Sequence, residues 1–210
     1  ASGGCGLVFG APLADSEGRV YNCLLFAAGG ELLHCHQQLL LPFDAAGRDR
    51  RFFSPGSELS LVEFRGEKIG LLCGADARAI PGWPEALRYR IDPAALLADQ
   101  GATLLVNGSA FPFRTGKGAD RRAMGTYHSA RHDLTFVNCN LVSACTPDLF
   151  DGASYLLTRT GRECHLPPFA EALRLVDTED PDTAAARPDG PELIREALVF
   201  GIREAVRRSG

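Results

Sequence analysis

The stretch Leu59-Ser60-Leu61-Val62-Glu63-Phe64-Arg65-Gly66-Glu67-Lys68-Ile69-Gly70-Leu71-Leu72-Cys73-Gly74 decides the fold. Its two apolar runs, Leu59–Phe64 and Lys68–Leu72, flank the short turn Arg65-Gly66-Glu67 and read as a β-hairpin. Upstream, Leu7–Phe9 and Tyr21–Phe26 are two further apolar runs. The second is followed by the small-residue turn Ala27–Gly30 and a returning strand, Glu31–His36, which makes another hairpin. Downstream the pattern changes to alternation. Asp92 suits an N-cap, Pro93 the first helical turn and Gly101 the residue just past the helix end. Thr103–Asn107 reads as a strand, Asp120 as the cap of a helix running to about His132, Thr135–Asn140 as a buried strand and Ser154–Thr158 as the last strand of the core. Hairpins followed by strand–helix–strand units predict an α/β fold with a mixed sheet and helices over at least one face.

The whole chain is consistent with that class. Its 210 residues are 45% hydrophobic, with 22 basic and 26 acidic side chains and a formal charge of −4. This is near the globular average and excludes disordered, collagen-like and coiled-coil classes. No apolar run approaches the roughly 20 residues of a membrane-spanning helix, and a mildly acidic chain lacks the footprint of a nucleic-acid binder. Neither membrane nor nucleic acid is therefore an expected partner. Seven cysteines without a CxxC pair predict reduced thiols and a cytoplasmic setting. Lys68 and Lys117 are the only lysines. Composition shifts at Asp177: residues 177–190 carry five Asp or Glu, two Pro and three consecutive Ala, and read as a linker after a domain of residues 1–176. Residues 191–210 then read as an amphipathic helix with Ile194, Leu198, Ile202 and Val206 at i, i+4 spacing.

A series of short motifs adds a resemblance. Tyr21-Asn22, Arg51-Phe52-Phe53-Ser54-Pro55-Gly56 and Gly66-Glu67-Lys68-Ile69-Gly70 come first. Asn107-Gly108-Ser109-Ala110, Gly116-Lys117 with Arg121 behind it, Asn138-Cys139-Asn140-Leu141-Val142 and Phe150-Asp151-Gly152-Ala153-Ser154 follow in order. In order and spacing they resemble the nitrilase (carbon–nitrogen hydrolase) superfamily, and within it the glutaminase domain of glutamine-dependent NAD synthetases. The helix Glu196–Arg203 is similar to the entry helix of the synthetase domain. The resemblance implies an αββα sandwich with mixed sheets, here expected to lack its first elements. It also marks Asn107, Ser109, Lys117, Arg121, Asn140 and Asp151 as family-motif positions.

The same resemblance implies amide hydrolysis by a Glu–Lys–Cys triad. A Cys thiolate attacks the carbonyl, the Glu moves protons, and the Lys ammonium holds the charged intermediate. Counting from Gly70, the nucleophile position falls on Gly74, with Cys73 one residue early. On a strand that shift turns the side chain to the opposite face. Counting back from Pro42, the lysine position holds Gln38, which can donate a hydrogen bond but carries no charge. The Glu would lie in a stretch ahead of Tyr21, and this chain is expected to begin too late to contain it.

Other constellations are weaker. His34-Cys35-His36 puts two imidazoles on one strand face without a third ligand, so no metal site is expected there. His128 and His132 are spaced as in zinc-binding helices but lack the accompanying Glu, and read as a solvated helix face. Arg121, Arg122 and Arg131 read likewise. Thr115-Gly116-Lys117-Gly118 is not a Walker A loop. The leading expectation is a catalytically degenerate glutaminase-like domain with a structural or assembly role, forming a homo-oligomer. A synthetase domain, in the same chain or another, is a possible partner. ATP and Mg are expected only with such a domain, and no cofactor in this one. The rivals are an active amidase using Cys73 in a shifted register, with its acid from a segment outside this sequence or from Asp76, and a module that binds an amide ligand without cleaving it.

Overall fold

The computed structural model describes residues 4–43, 48–83, 89–145, 147–181 and 190–209, so residues 182–189 of the expected linker lie outside it. The chain forms two compact units, residues 1–108 and 109–210.

In the first unit, β1 (Gly6–Ala14), β2 (Val20–Ala28) and β3 (Glu31–Gln37) form an antiparallel sheet in that order. The apolar run read at Leu7–Phe9 is thus the start of a nine-residue strand. A short helix, α1 (Arg48–Phe52), follows. The deciding hairpin is β4 (Leu61–Phe64) and β5 (Glu67–Cys73), antiparallel and joined through Arg65 and Gly66, both at positive φ, as a tight two-residue hairpin turn requires. α2 (Pro93–Asp99) begins where its cap predicts: the Asp92 carboxylate accepts the Ala95 N–H at 3.1 Å. It leads into β6 (Leu104–Ser109), which runs parallel to β5, so the sheet is mixed.

The alternation of β5 orders the layers. Ile69, Leu71 and Cys73 pack against Leu24 and Phe26 of β2, with Val62 beside them and Phe64 edge-on to Phe26 at 5.2 Å. On the opposite face, a β-carbon on Gly70 would fall 2.6 Å from Leu105 and 3.1 Å from Leu97, so α2 lies close over the strand. Each such fully buried Leu or Phe contributes about 1.5–3 kcal/mol. Sheet on sheet, with a helix behind, is the arrangement that positions the end of β5.

The second unit carries α3 (Lys117–His132), β7 (Thr135–Asn140), the hairpin β8 (Val142–Cys145) and β9 (Asp148–Asp151), β10 (Tyr155–Leu157), β11 (Glu163–His165) and α4 (Gly190–Ser209). β10 pairs antiparallel with both β7 and β11. α3 starts at Lys117, earlier than Asp120 suggested, because Gly116 in the left-handed region begins the helix; Asp120 instead pairs with Lys117. Two solvated-face readings are corrected. His128 is fully buried and stacks on Phe136 and His132, at 5.4 and 5.9 Å between ring centroids. Arg121 is buried in an ion pair. Their partners lie on strands that helix-face reasoning does not see.

α4 packs on the β8–β9 hairpin through one side only. Ala197 is buried, Phe200 meets Phe169 at 5.5 Å, and a β-carbon on Gly201 would stand 3.3 Å from Leu149. The stripe read from the sequence faces away: Ile194, Leu198, Ile202 and Val206 are 41, 61, 65 and 65% exposed.

Candidate functional site

The end of β5 and the end of β3 meet at the two positions that the resemblance assigns to nucleophile and lysine. β5 stops at Cys73, and the chain turns at Gly74 into a single 3-10 turn, Gly74–Arg78. Gly74 has φ +52, a conformation in which a side chain is strained. A β-carbon placed on it would lie 3.4 Å from Gln38 Nε2. The two positions therefore face each other, and they hold a hydrogen atom and a neutral amide.

Gln38 is fixed at both ends. Its Oε1 accepts the Asn22 Nδ2 at 2.8 Å, and its Nε2 donates to the Leu40 carbonyl at 2.9 Å. Its backbone N–H donates to the Asn22 carbonyl, and its carbonyl accepts the Gly56 N–H. The side chain is 1% exposed.

Asp76 organises this corner. Its fully buried carboxylate accepts the Leu39 and Leu40 N–H groups on Oδ1 at 3.0 and 2.7 Å, and the Cys73 N–H on Oδ2 at 3.1 Å. His36 Nε2 stands 2.7 Å from Oδ2. Hydrogen bonds to an ionised group are stronger than neutral ones, so one carboxylate here locks β3, the loop behind it and the turn after β5. The sequence offers Asp76 as an acid for an amidase using Cys73, and His36 as one of two imidazoles on a strand face without a third ligand. The structure joins them to each other instead, and Asp76 meets the backbone of Cys73. Among the described residues, no cluster of three or more His, Cys, Asp or Glu could hold a metal ion.

Cys73 lies in the apolar layer between the sheets, with Leu24, Phe26, Ile69 and Leu71. Burial pushes its thiol well above the usual range, and the neighbouring Asp76 charge pushes the same way. A thiol held protonated is a poor nucleophile.

The later family-motif positions gather in the second unit around Asn140. Its Oδ1 accepts the Phe111 N–H at 2.8 Å and the Ser109 hydroxyl at 3.1 Å, and its Nδ2 donates to the Gly152 carbonyl at 3.0 Å. Arg121 binds Asp151 through two N–H groups, one at 2.7 Å to Oδ1 and one to Oδ2. The Tyr155 hydroxyl donates to the Arg121 carbonyl. This network holds loops together. Lys117 stands apart, exposed and paired with Asp120 at 2.9 Å, and Asn107 is fully buried in β6. Asn22, His36, Ser154 and Tyr155 were not singled out as partners by sequence. The signal for Asp76 was its place two residues beyond Gly74, at the end of an apolar strand.

The structure resembles solved proteins along most of its length. It superposes with TM-score 0.86 over 98% of its residues on a glutamine-dependent NAD+ synthetase from Acinetobacter baumannii, at 22% identity and covering 38% of that chain. A mutant amidase of the nitrilase superfamily from Nesterenkonia matches 78% of the chain with TM-score 0.63, at 19% identity and 58% of its own length. The chain has the nitrilase-like fold. Curated relatives cover it as well. A glutamine-dependent NAD(+) synthetase of Rhodobacter capsulatus is 29% identical over 216 residues, 99% of this chain, and one of Thermotoga maritima is 28% identical over 149 residues, 70% of it. This nitrilase-like chain spans 37% and 24% of those two relatives. It is related to the glutaminase domain of NAD synthetases. No family model matches the chain. No helix among the described residues is long and apolar enough to cross a membrane.

Proposed function

We propose that this nitrilase-like chain is a glutaminase-like domain that no longer hydrolyses amides and serves a structural or assembly role. One observation carries the reading: a β-carbon at the position of the attacking thiol would lie 3.4 Å from the side chain at the position of the ammonium, and the two positions hold Gly74 and Gln38. Nucleophilic catalysis needs an activated nucleophile, and glycine supplies none. A negatively charged tetrahedral intermediate needs charge or several aimed donors, and Gln38 already spends its oxygen on Asn22 and one N–H on Leu40. Cys73 does not make up the loss, since it packs into the apolar layer with its thiol held protonated. A cytoplasmic setting suits the seven free cysteines. A synthetase domain, in this chain or another, is the partner such a scaffold would serve.

The test is ammonia release from glutamine, read against a buffer control with wild-type protein and with Cys73→Ala. The expected result is no release from either. Release by wild type that disappears in Cys73→Ala would overturn the reading and make Cys73 the nucleophile.

A further inference from the structure

We propose that Cys23 on β2 and Cys35 on β3 form an oxidant-sensitive dithiol, which a hydroperoxide closes to a disulfide. The strand register brings them together. Leu25 stands opposite Cys35 and Cys23 opposite Gln37, so the two cysteines are diagonal neighbours across one antiparallel ladder. Residues two apart on a strand share a face, as do residues directly opposite across a pair. Cys23, Leu25 and Cys35 therefore lie on the same side of the sheet. It is the side away from β5, since the alternate residues Leu24 and Phe26 pack with Ile69, Leu71 and Cys73. That alternation keeps Cys73 behind the sheet, apart from the pair.

The two thiols differ as an attacking and a resolving cysteine should. Cys35 is exposed, whereas Cys23 is fully buried with Tyr21, Leu25 and Ala11, its S–H on the Tyr21 carbonyl at 3.6 Å. Burial pushes the Cys23 thiol up, and the charge of Cys35 beside it pushes the same way. Oxidation follows thiolate character and access, so Cys35 reacts first. Its thiolate attacks one oxygen of the hydroperoxide. The S–O bond forms, the O–O bond breaks, and the second oxygen takes a proton and leaves. The Cys23 sulfur then attacks the Cys35 sulfenic sulfur. The S–S bond forms, the S–O bond breaks, and hydroxide leaves as water with the Cys23 proton. Two thiols are oxidised and one hydroperoxide is reduced.

The spacing decides what kind of disulfide results. Diagonal neighbours have Cα atoms about 7–8 Å apart, slightly beyond the roughly 4.4–6.8 Å that a disulfide usually spans. The bond therefore draws β2 and β3 together, and a bond under strain is readily reduced. Such a pair responds to redox conditions and does not brace the fold.

This dithiol needs neither amide hydrolysis nor its loss, so it is tested apart from the proposed function. The full chain is treated with a small excess of hydrogen peroxide at neutral pH, and all remaining thiols are then alkylated in urea. Cys23 and Cys35 share the tryptic peptide Val20–Arg48. That peptide should lose two hydrogens and both alkylation sites, and dithiothreitol should return them. Cys35→Ser, at an exposed site, should leave Cys23 fully alkylated. Cys23→Ala should leave Cys35 as a sulfenic acid that dimedone traps. Three results would each overturn the proposal. One is both cysteines still alkylated in wild type at peroxide doses that oxidise the exposed Cys5 and Cys145. Another is Cys35 trapped by dimedone as readily in wild type as in Cys23→Ala. The third is a bond from either residue to a different cysteine.

Discussion

Asp76 and Gly74 are two residues apart in one 3-10 turn, yet the first is fully engaged and the second bare. Asp76 has four polar partners from three segments, whereas Gly74 offers only a backbone beside a neutral amide. The second unit repeats the first half of that contrast, with Arg121, Asp151 and Asn140 all buried and bonded. What differs is the job. The bonded residues hold backbone that the fold needs whatever chemistry takes place. The bare position would hold a reacting group, and nothing in the packing depends on one. The two kinds of position therefore answer to different constraints, one to folding and the other to chemistry.

The contrast breaks first, and by most, at its bonded residues. Asp76→Ala should cost about 3–5 kcal/mol, because it strands a buried imidazole and three N–H groups. Urea unfolding measures it, and a loss under 1 kcal/mol would mean that Asp76 is not the organiser described. Arg121→Ala should cost a similar amount, whereas Arg121→Met with Asp151→Leu should cost less than either single change, since no unpaired charge stays buried.

At the bare position the loss should be smaller. Gly74→Ala should cost about 1–2 kcal/mol for a β-carbon at φ +52. Gly74→Cys should fold with the same cost and still release no ammonia. Adding Gln38→Lys should raise the alkylation rate of that thiol near neutral pH, because an adjacent ammonium lowers a thiol pKa. Equal rates in the single and double variants would show that the two positions do not face each other.

Two surface carboxylates give the smallest effects. For Glu163, burial works upward, but hydrogen bonds from Arg122 and His165 outweigh it and hold its pKa below the usual range. A depressed carboxylate contributes stability that is present above its unfolded pKa, about 4.3, and is lost as pH falls through the folded value. Glu163→Gln should flatten the acid side of the stability profile, by an amount typical of a partly exposed pair, under about 1 kcal/mol. For Asp15, desolvation is again upward, while the Arg19 side chain, the Arg19 and Glu17 N–H groups and the Tyr21 hydroxyl bring it down to about 2. A carboxyl NMR titration should find that midpoint, and Arg19→Ala should move it back toward 3.8.

Much of this was legible in the sequence, for local reasons. The β4–β5 hairpin, the Asp92 cap and the α4 stripe are each written within a few residues of themselves. Gln38 and Gly74 could be found by counting, because strand spacing is rigid. What was not legible depends on distant partners or on short elements. β8 and β9 have four residues each and β11 three, too few to show a period. Arg121 looks like a surface arginine until Asp151, thirty residues on, is placed against it. His36 could not be paired with Asp76 before β3 was laid near the end of β5.

The position of Cys73 constrains how a nucleophile could be brought to the end of β5. Its thiol is one residue from where it would be needed, but sliding β5 by one would move every other side chain as well. Ile69 and Leu71 would leave the layer shared with β2, and Gly70 would be replaced under α2, where 2.6 Å to Leu105 admits no β-carbon. That route passes through a broken core. A substitution at residue 74 disturbs only a turn, so a thiol introduced there would leave Cys73 as packing.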